Sequence, residues 1–287
     1  MTVCAVDIGG TWTKIGLVDE RGDVRHFSRV PTAGPADRFS ALLIGQIGES
    51  VAREPGVEAI GVSVAGFIDA GRSRMTYNPN LPWLVDFPLQ AALRDAFGIP
   101  VRIEVDSNAA ALGEYRFGHG AGARRFLCLT IGTGVGGGFL IDGQPARFTG
   151  ECIGDVGHII VEPGGPPCTC GGRGCAEAVL TAPAILLASG TGYRRLEELA
   201  PRREMDRFFI AAGHQLGLLA ASLASIFFPD CIALGGGVPA ASHLVIEGVR
   251  EAFERSAGDW ARANTRIVQA KLGPLAPLIG AACVTGD

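Results

Sequence analysis

Apolar residues in this chain fall into short blocks that stop at glycine. The opening block ends at Asp7, Gly9 and Gly10 follow, and a second block alternates from Trp12 to Val18 before a polar turn at Arg21 to Asp23. Alternation with a period of two between turn residues predicts a β-hairpin. The same pattern returns in RFLCLTIGTGVGGGFLIDGQ, Arg125 to Gln144, with its glycine turn at Ile131 to Gly138 and its second strand closed by Asp142 and Gly143. A third glycine turn lies in CIALGGGVP, Cys231 to Pro239, after a helical run from Arg207 to Phe228. Between the hairpins, Val101 to Val105 reads as a strand and Ser107 to Tyr115 as a helix, so Asp106 stands at a strand-to-helix corner.

These turns carry the candidate chemistry. The first tip presents the Asp7 carboxylate and the amides of Gly9, Gly10 and Thr11. Unshielded amides bind phosphate oxygens, and a nearby carboxylate can hold a hydrated magnesium. The same tip is also a common turn. In the second, Gly132, Gly134 and Gly137 match G-x-G-x-x-G, but a strand follows instead of a helix, so the dinucleotide-binding context is missing. There is no Walker A loop, because neither lysine, Lys14 or Lys271, follows a glycine. In the third, consecutive glycines let a flat ring approach the backbone. Taken together, the three turns suggest a nucleotide held between two similar α/β halves. Asp106 reads either as an N-cap or as a general base toward a substrate hydroxyl.

Composition narrows the classes. A chain of 287 residues, 47% hydrophobic, with 42 glycines and a net charge of −4, is globular, large enough for two cores, and not a nucleic-acid binder by charge. No uninterrupted apolar run of bilayer length and no signal peptide is visible, so a cytoplasmic protein with reduced thiols and no membrane partner is expected. Of eight cysteines, Cys4, Cys128 and Cys231 sit in apolar runs and Cys152 and Cys283 lack any pattern, as small buried hydrophobes do. Cys168, Cys170 and Cys175 instead form C-x-C-x4-C among Gly171, Gly172 and Gly174, with His158 ten residues upstream. Three thiolates and one imidazole suit a structural zinc; a glycine-rich loop with free thiols is the alternative.

DIGGT at 7–11, VDSNAAALGE at 105–114, TIGTGVGGG at 130–138, Gly157-His158 and CTCGGRGCAE at 168–177 together resemble the ROK family, which groups repressors, open reading frames and sugar kinases. The resemblance implies an α/β, actin-like ATPase fold of two ribonuclease-H-like domains with a cleft between them. Residues 1–115 would form the first domain, with 273–287 returning to it, and 116–272 the second, which carries the zinc knot. It also implies an ATP- and Mg2+-dependent sugar kinase in which Asp106 is the general base. Asp7, Gly9, Gly10, Thr11, Thr133, Gly134 and Gly136 would face the phosphates, and Gly235, Gly236 and Gly237 the adenosine. Gly66, Asn80, Asp155, His158 and Glu177 would join Asp106 around the sugar. In the family the histidine both ligates zinc and touches sugar, and the zinc is a scaffold because four protein ligands leave no open position. A homodimer is expected by the same resemblance.

Two positions depart from the family pattern: Asp155 stands where glutamate is usual, and Val105 where asparagine commonly precedes the catalytic aspartate. A shorter carboxylate and a side chain without hydrogen-bonding atoms should penalise glucose and favour another hexose, an amino or N-acetylated sugar, or a polyol. The nucleotide-facing turns lie far from the cysteines in sequence and are expected to depend little on the metal. A sugar-sensing regulator is a rival reading, although Asp7 follows Met1 too closely for an N-terminal DNA-binding module. A polyphosphate donor is another, with Arg124 and Arg125 too few to build a basic channel.

Overall fold

The computed structural model describes residues 1–284, which divide into two units, each built on its own mixed sheet. The first unit contains Met1–Phe117, Gln144–Gly154 and the segment from Leu275; the second contains Gly118–Gly143 and Asp155–Pro274.

In the first unit the strands run in the order Val24–Pro31, Trp12–Val18, Thr2–Ile8, Val57–Val64, Val101–Val105. Thr2–Ile8 and Trp12–Val18 form the expected antiparallel hairpin, with Asp7 opposite Lys14. Thr2–Ile8, Val57–Val64 and Val101–Val105 are parallel, and their register sets Asp7, Ser63 and Glu104 side by side. Strands covered on both faces need near-continuous apolar runs, and Val3 to Ile8 and Ala59 to Val64 are buried throughout. One face is covered by helix Ala36–Arg53, whose Phe39, Leu43 and Ile47 recur at helical spacing and enter the core with Val6, Val62 and Ile103. Helix Asp106–Phe117 begins at the corner residue itself. Its Ala109, Ala110 and Ala111 are fully buried, and such small side chains let helix Ala276–Cys283 approach closely.

The observed division differs from the expected one in one internal segment and by two residues at each of the other two boundaries. Residues 144–154, which the sequence pattern leaves in the second domain, pack with the first, because Arg147 pairs with Glu104 and Cys152 joins that unit's core. The returning C-terminal segment contains helix Ala276–Cys283; residues 285–287 of it lie outside the described residues.

In the second unit, Val135–Ile141, Arg125–Ile131, Cys231–Gly235 and Arg266–Gln269 lie in that order, the first pair antiparallel and the others parallel. Helix Asp206–Phe227 buries Phe209, Leu216, Leu219 and Leu223 and packs along helix His243–Ser256, which contributes Val245, Val249 and Phe253. By length and composition alone, the stretch Arg203–Phe227 is apolar enough to cross a membrane. His214, Gln215 and Ser222 interrupt its apolar run. More than half, 56%, of its most apolar 18-residue window is buried inside the protein, which is where its apolar surface goes.

Candidate active site

The carboxyl ends of parallel strands are where open α/β sheets gather functional groups. In the first unit that edge presents Asp7, only 6% exposed, with both oxygens held: Ser63 Oγ donates to Oδ1 at 3.1 Å and Lys14 Nζ to Oδ2 at 2.9 Å. A carboxylate has about four lone-pair sites, so Asp7 keeps room for a water-mediated contact to a cation. Asp106 stands at the end of strand Val101–Val105, one strand further along the same edge beyond Val57–Val64, and accepts the Ser107 N–H at 2.7 Å. Burial first, and then the charge of Asp7, push the Asp106 carboxyl up to about 7, against the opposing pull of the backbone amides of Ser107 and of Asp106 itself. A carboxylate poised there exchanges protons with solvent near neutrality, which suits a general base.

The rest of the predicted first-unit set lies on loops of the same unit. The Gly9 N–H donates to Trp12 O at 3.2 Å and closes the first tip, while the Thr11 carbonyl accepts from Thr32 N. A Cβ on Gly10 would meet Asn80 Cβ at 3.7 Å, so the exposed Asn80 borders that tip. Gly66 has φ +96°, and a Cβ there would lie 2.3 Å from Tyr77 O, so only glycine fits. Asn78, absent from the sequence expectations, ties these loops together: Oδ1 accepts from Asn80 N and Leu81 N, both at 2.9 Å, and Nδ2 donates to Ala65 O at 2.8 Å. The Asn-Pro-Asn run was its signal, since asparagine commonly bonds the backbone two residues on.

A second group was also missed. Glu104, wholly buried, receives Arg147 through two hydrogen bonds, with Arg72 NH1 3.5 Å from Oε2. Its Oε1 also accepts Val105 N–H and Asn108 Nδ2, each at 3.0 Å, and the same Asn108 nitrogen donates to Glu151 O at 2.7 Å. A glutamate inside the apolar strand VRIEV was the available signal, because a buried charge requires partners. Val105 itself is 4% exposed and belongs to the core of the first unit.

In the second unit the other two glycine turns meet. Gly236 has φ +92°, and a Cβ there would lie 2.2 Å from Ile131 O, so the turn Gly235 to Gly237 rests directly on the end of strand Arg125–Ile131. The tip between the hairpin strands is closed by Gly132 N–H donating to Gly134 O at 2.9 Å; Thr133 is exposed and Gly136 half-buried.

His158, Cys168, Cys170 and Cys175 converge, their ligand atoms all within 4.8 Å of one another. Cys168 Sγ lies 3.5 Å from His158 Nδ1, and Cys170 Sγ 3.7 Å from Cys175 Sγ. With Zn–S of about 2.3 Å and Zn–N of about 2.0 Å, a tetrahedral zinc separates sulfurs by about 3.8 Å and sulfur from nitrogen by about 3.5 Å, so the donor set fits that ion. The other imidazole nitrogen, Nε2, lies 3.4 Å from Asp155 Oδ2, the outer carboxylate position typical of a metal-bound histidine. Glu177 does not project freely: its Oε2 accepts Val135 N–H at 3.1 Å, at the second glycine tip.

The sequence model of the ROK family matches residues 3–287. The glucokinase of Streptomyces coelicolor is 34% identical over 312 residues, covering 96% of this chain and 95% of that protein. The xylose repressor of Caldicellulosiruptor bescii is 26% identical, covering 97% of this chain and 76% of the repressor. The crystal structure of a ROK family glucokinase from Streptomyces griseus in complex with glucose and AMPPNP matches with a TM-score of 0.86 and 32% identity, covering 99% of each chain. The α/β architecture is accordingly that of the actin-like sugar kinases. With a family match over nearly its whole length and the glycine turns, the corner aspartate and the Cys/His knot in the expected order, the chain belongs to the ROK family.

Proposed function

We propose that the chain transfers the terminal phosphoryl group of ATP to a sugar hydroxyl, with Asp106 taking the hydroxyl proton. In class it is a carbohydrate kinase. The observation that carries the role of Asp106 is its environment: a carboxyl lifted to about 7 by burial and by the charge of Asp7, at the corner where strand Val101–Val105 turns into a helix. Phosphoryl transfer asks the protein mainly for alignment and charge stabilisation. Asp7, Gly9, Gly10, Thr11, Thr133, Gly134 and Gly136 are the groups assigned to the phosphates, with Gly235 to Gly237 toward the adenosine. Mg2+, when bound with the nucleotide, neutralises phosphate charge, and Asp7 would hold it through water. Zinc, held by His158, Cys168, Cys170 and Cys175, would be a scaffold, since four protein ligands leave no open position.

Gly66, Asn80, Asp155, His158 and Glu177 are assigned to the sugar. Resemblance to glucokinases argues for glucose, whereas Val105 and the short Asp155 argue against it. Purified protein with ATP and magnesium, assayed for ADP release against hexoses, hexosamines, N-acetylated sugars and polyols, tests the proposal. ADP release dependent on one of these acceptors is expected. No acceptor-dependent release across the panel would leave the polyphosphate-donor and regulator readings, the latter with the repressor relative as its precedent.

A further inference from the structure

Glu177 belongs by sequence to the cysteine motif, two residues after Cys175, yet its carboxylate is bonded to the second glycine loop. Oε2 accepts the Val135 N–H at 3.1 Å, and a Cβ on Gly134 would come within 3.0 Å of the same oxygen. Two further contacts join the same parts. Ala182 N–H, just past the short helix Ala176–Leu180, donates to Gly132 O at 2.8 Å. Gly157, beside the ligand His158, lies so near the loop that a Cβ there would stand 2.6 Å from Val135 O. The loop is therefore clasped from the histidine side at Gly157, from the helix at Glu177 and from its far end at Ala182. The knot has little regular structure and is held by short-range backbone bonds, such as Cys168 N–H to Gly172 O and Gly174 N–H to Pro166 O, both at 2.9 Å, and by isolated bridges between Ile160 and Cys175 and between Pro167 and Arg173. Three of the four ligand side chains are exposed or half-buried, so packing alone holds them less firmly than a shared metal would.

We propose that Glu177 is a positioning residue that locks the glycine loop, Gly132 to Val135, to the zinc knot, so that nucleotide affinity depends on the metal. The inference rests on the reading of this loop as a phosphate site. A carboxylate oxygen on Val135 N–H fixes the orientation of the peptide that carries it, and with it the direction of the neighbouring loop amides. Loss of the metal releases Gly157 and the start of helix Ala176–Leu180 together, and the loop loses two of its three supports.

The test measures AMPPNP affinity with magnesium, in the absence of sugar, on zinc-loaded protein. Glu177→Ala, which removes the acceptor, is expected to weaken binding about tenfold, the loss of one charge-assisted hydrogen bond. Glu177→Asp keeps the charge but withdraws the carboxylate, and is expected to behave like Glu177→Ala. Glu177→Gln keeps an acceptor oxygen and is expected to stay within about twofold of the parent. Elemental analysis should show zinc retained in all three variants. In a second arm, chelation of the unaltered protein is expected to speed hydrogen exchange at the Val135 amide by at least about tenfold, since this amide is held by Glu177. Unchanged AMPPNP affinity in zinc-loaded Glu177→Ala or Glu177→Asp, or unchanged Val135 exchange after chelation, overturns the proposal. If the unaltered protein binds no AMPPNP, the ATP reading falls by itself and the exchange arm alone decides the lock.

Discussion

Glu104 and Arg147, 43 residues apart, share two near-parallel hydrogen bonds of 2.9 and 2.6 Å, and Glu104 has no exposed surface. The pair fastens segment 144–154 to the strand that delivers Asp106. Through Asn108 the same carboxylate also holds Glu151 O, in a stretch where Gly150 and Glu151 both have positive φ. Arg147→Met would strand a buried charge and is expected to cost about 3–5 kcal/mol. Adding Glu104→Gln should recover part of that loss, because a neutral amide needs less compensation. Urea titration of the single and double variants checks this; equal midpoints would show that the charge is not what the pair compensates.

Asp106→Asn should lower kcat by roughly two to four orders of magnitude, as expected for a lost general base. Folding should survive, since an asparagine oxygen can still accept the Ser107 N–H. A silent substitution would reduce Asp106 to a cap.

The raised carboxyl of Asp106 also has a pH signature. Activity should fall as pH drops through about 7, where the base becomes protonated. The folded state binds this proton more tightly than the unfolded chain, so between the ordinary aspartate value of 3.8 and about 7 the folded state carries more protons. Its contribution is therefore most favourable below that window and is lost as pH rises through it. Asp106→Asn should gain stability relative to the unaltered protein across the same interval and level off above it. Thermal melts of both proteins from pH 4 to pH 8 measure the difference, and a gap that does not widen with pH would contradict the assigned burial.

One zinc per chain is expected by elemental analysis. Cys175→Ala, which removes the buried ligand, should lose the metal together with sugar binding and thermal stability. A metal-free protein with full activity would remove the zinc assignment.

Val105 and Asp155 should set the acceptor. Glucose is expected to be a poor substrate beside another hexose, an amino or N-acetylated sugar, or a polyol. The double change Val105→Asn with Asp155→Glu should raise kcat/KM for glucose relative to the preferred sugar. Because Val105 lies in the core, Val105→Asn alone should also cost about 1–3 kcal/mol unless the amide finds partners, so stability must be read beside kinetics. Glucose used best by the unaltered protein would make both departures irrelevant to specificity.

The sequence by itself determined the local units. Both hairpins, the corner at Asp106 and the Cys/His motif were legible because strand alternation, glycine placement and ligand spacing act over a few residues. The order of those motifs was enough to point to the family. Tertiary structure decided the properties that depend on distant partners. The shift of Asp106 comes from burial and from Asp7, 99 positions earlier in the numbering of the chain. Segment 144–154 joins the first unit because Arg147 finds Glu104, a pairing with no local pattern. The sequence distance between knot and glycine turn suggested that the two are independent. The folded chain bonds Glu177 to Val135, 42 residues away, because side-chain direction and loop approach arise only when the sheet, the knot and the short helix pack together.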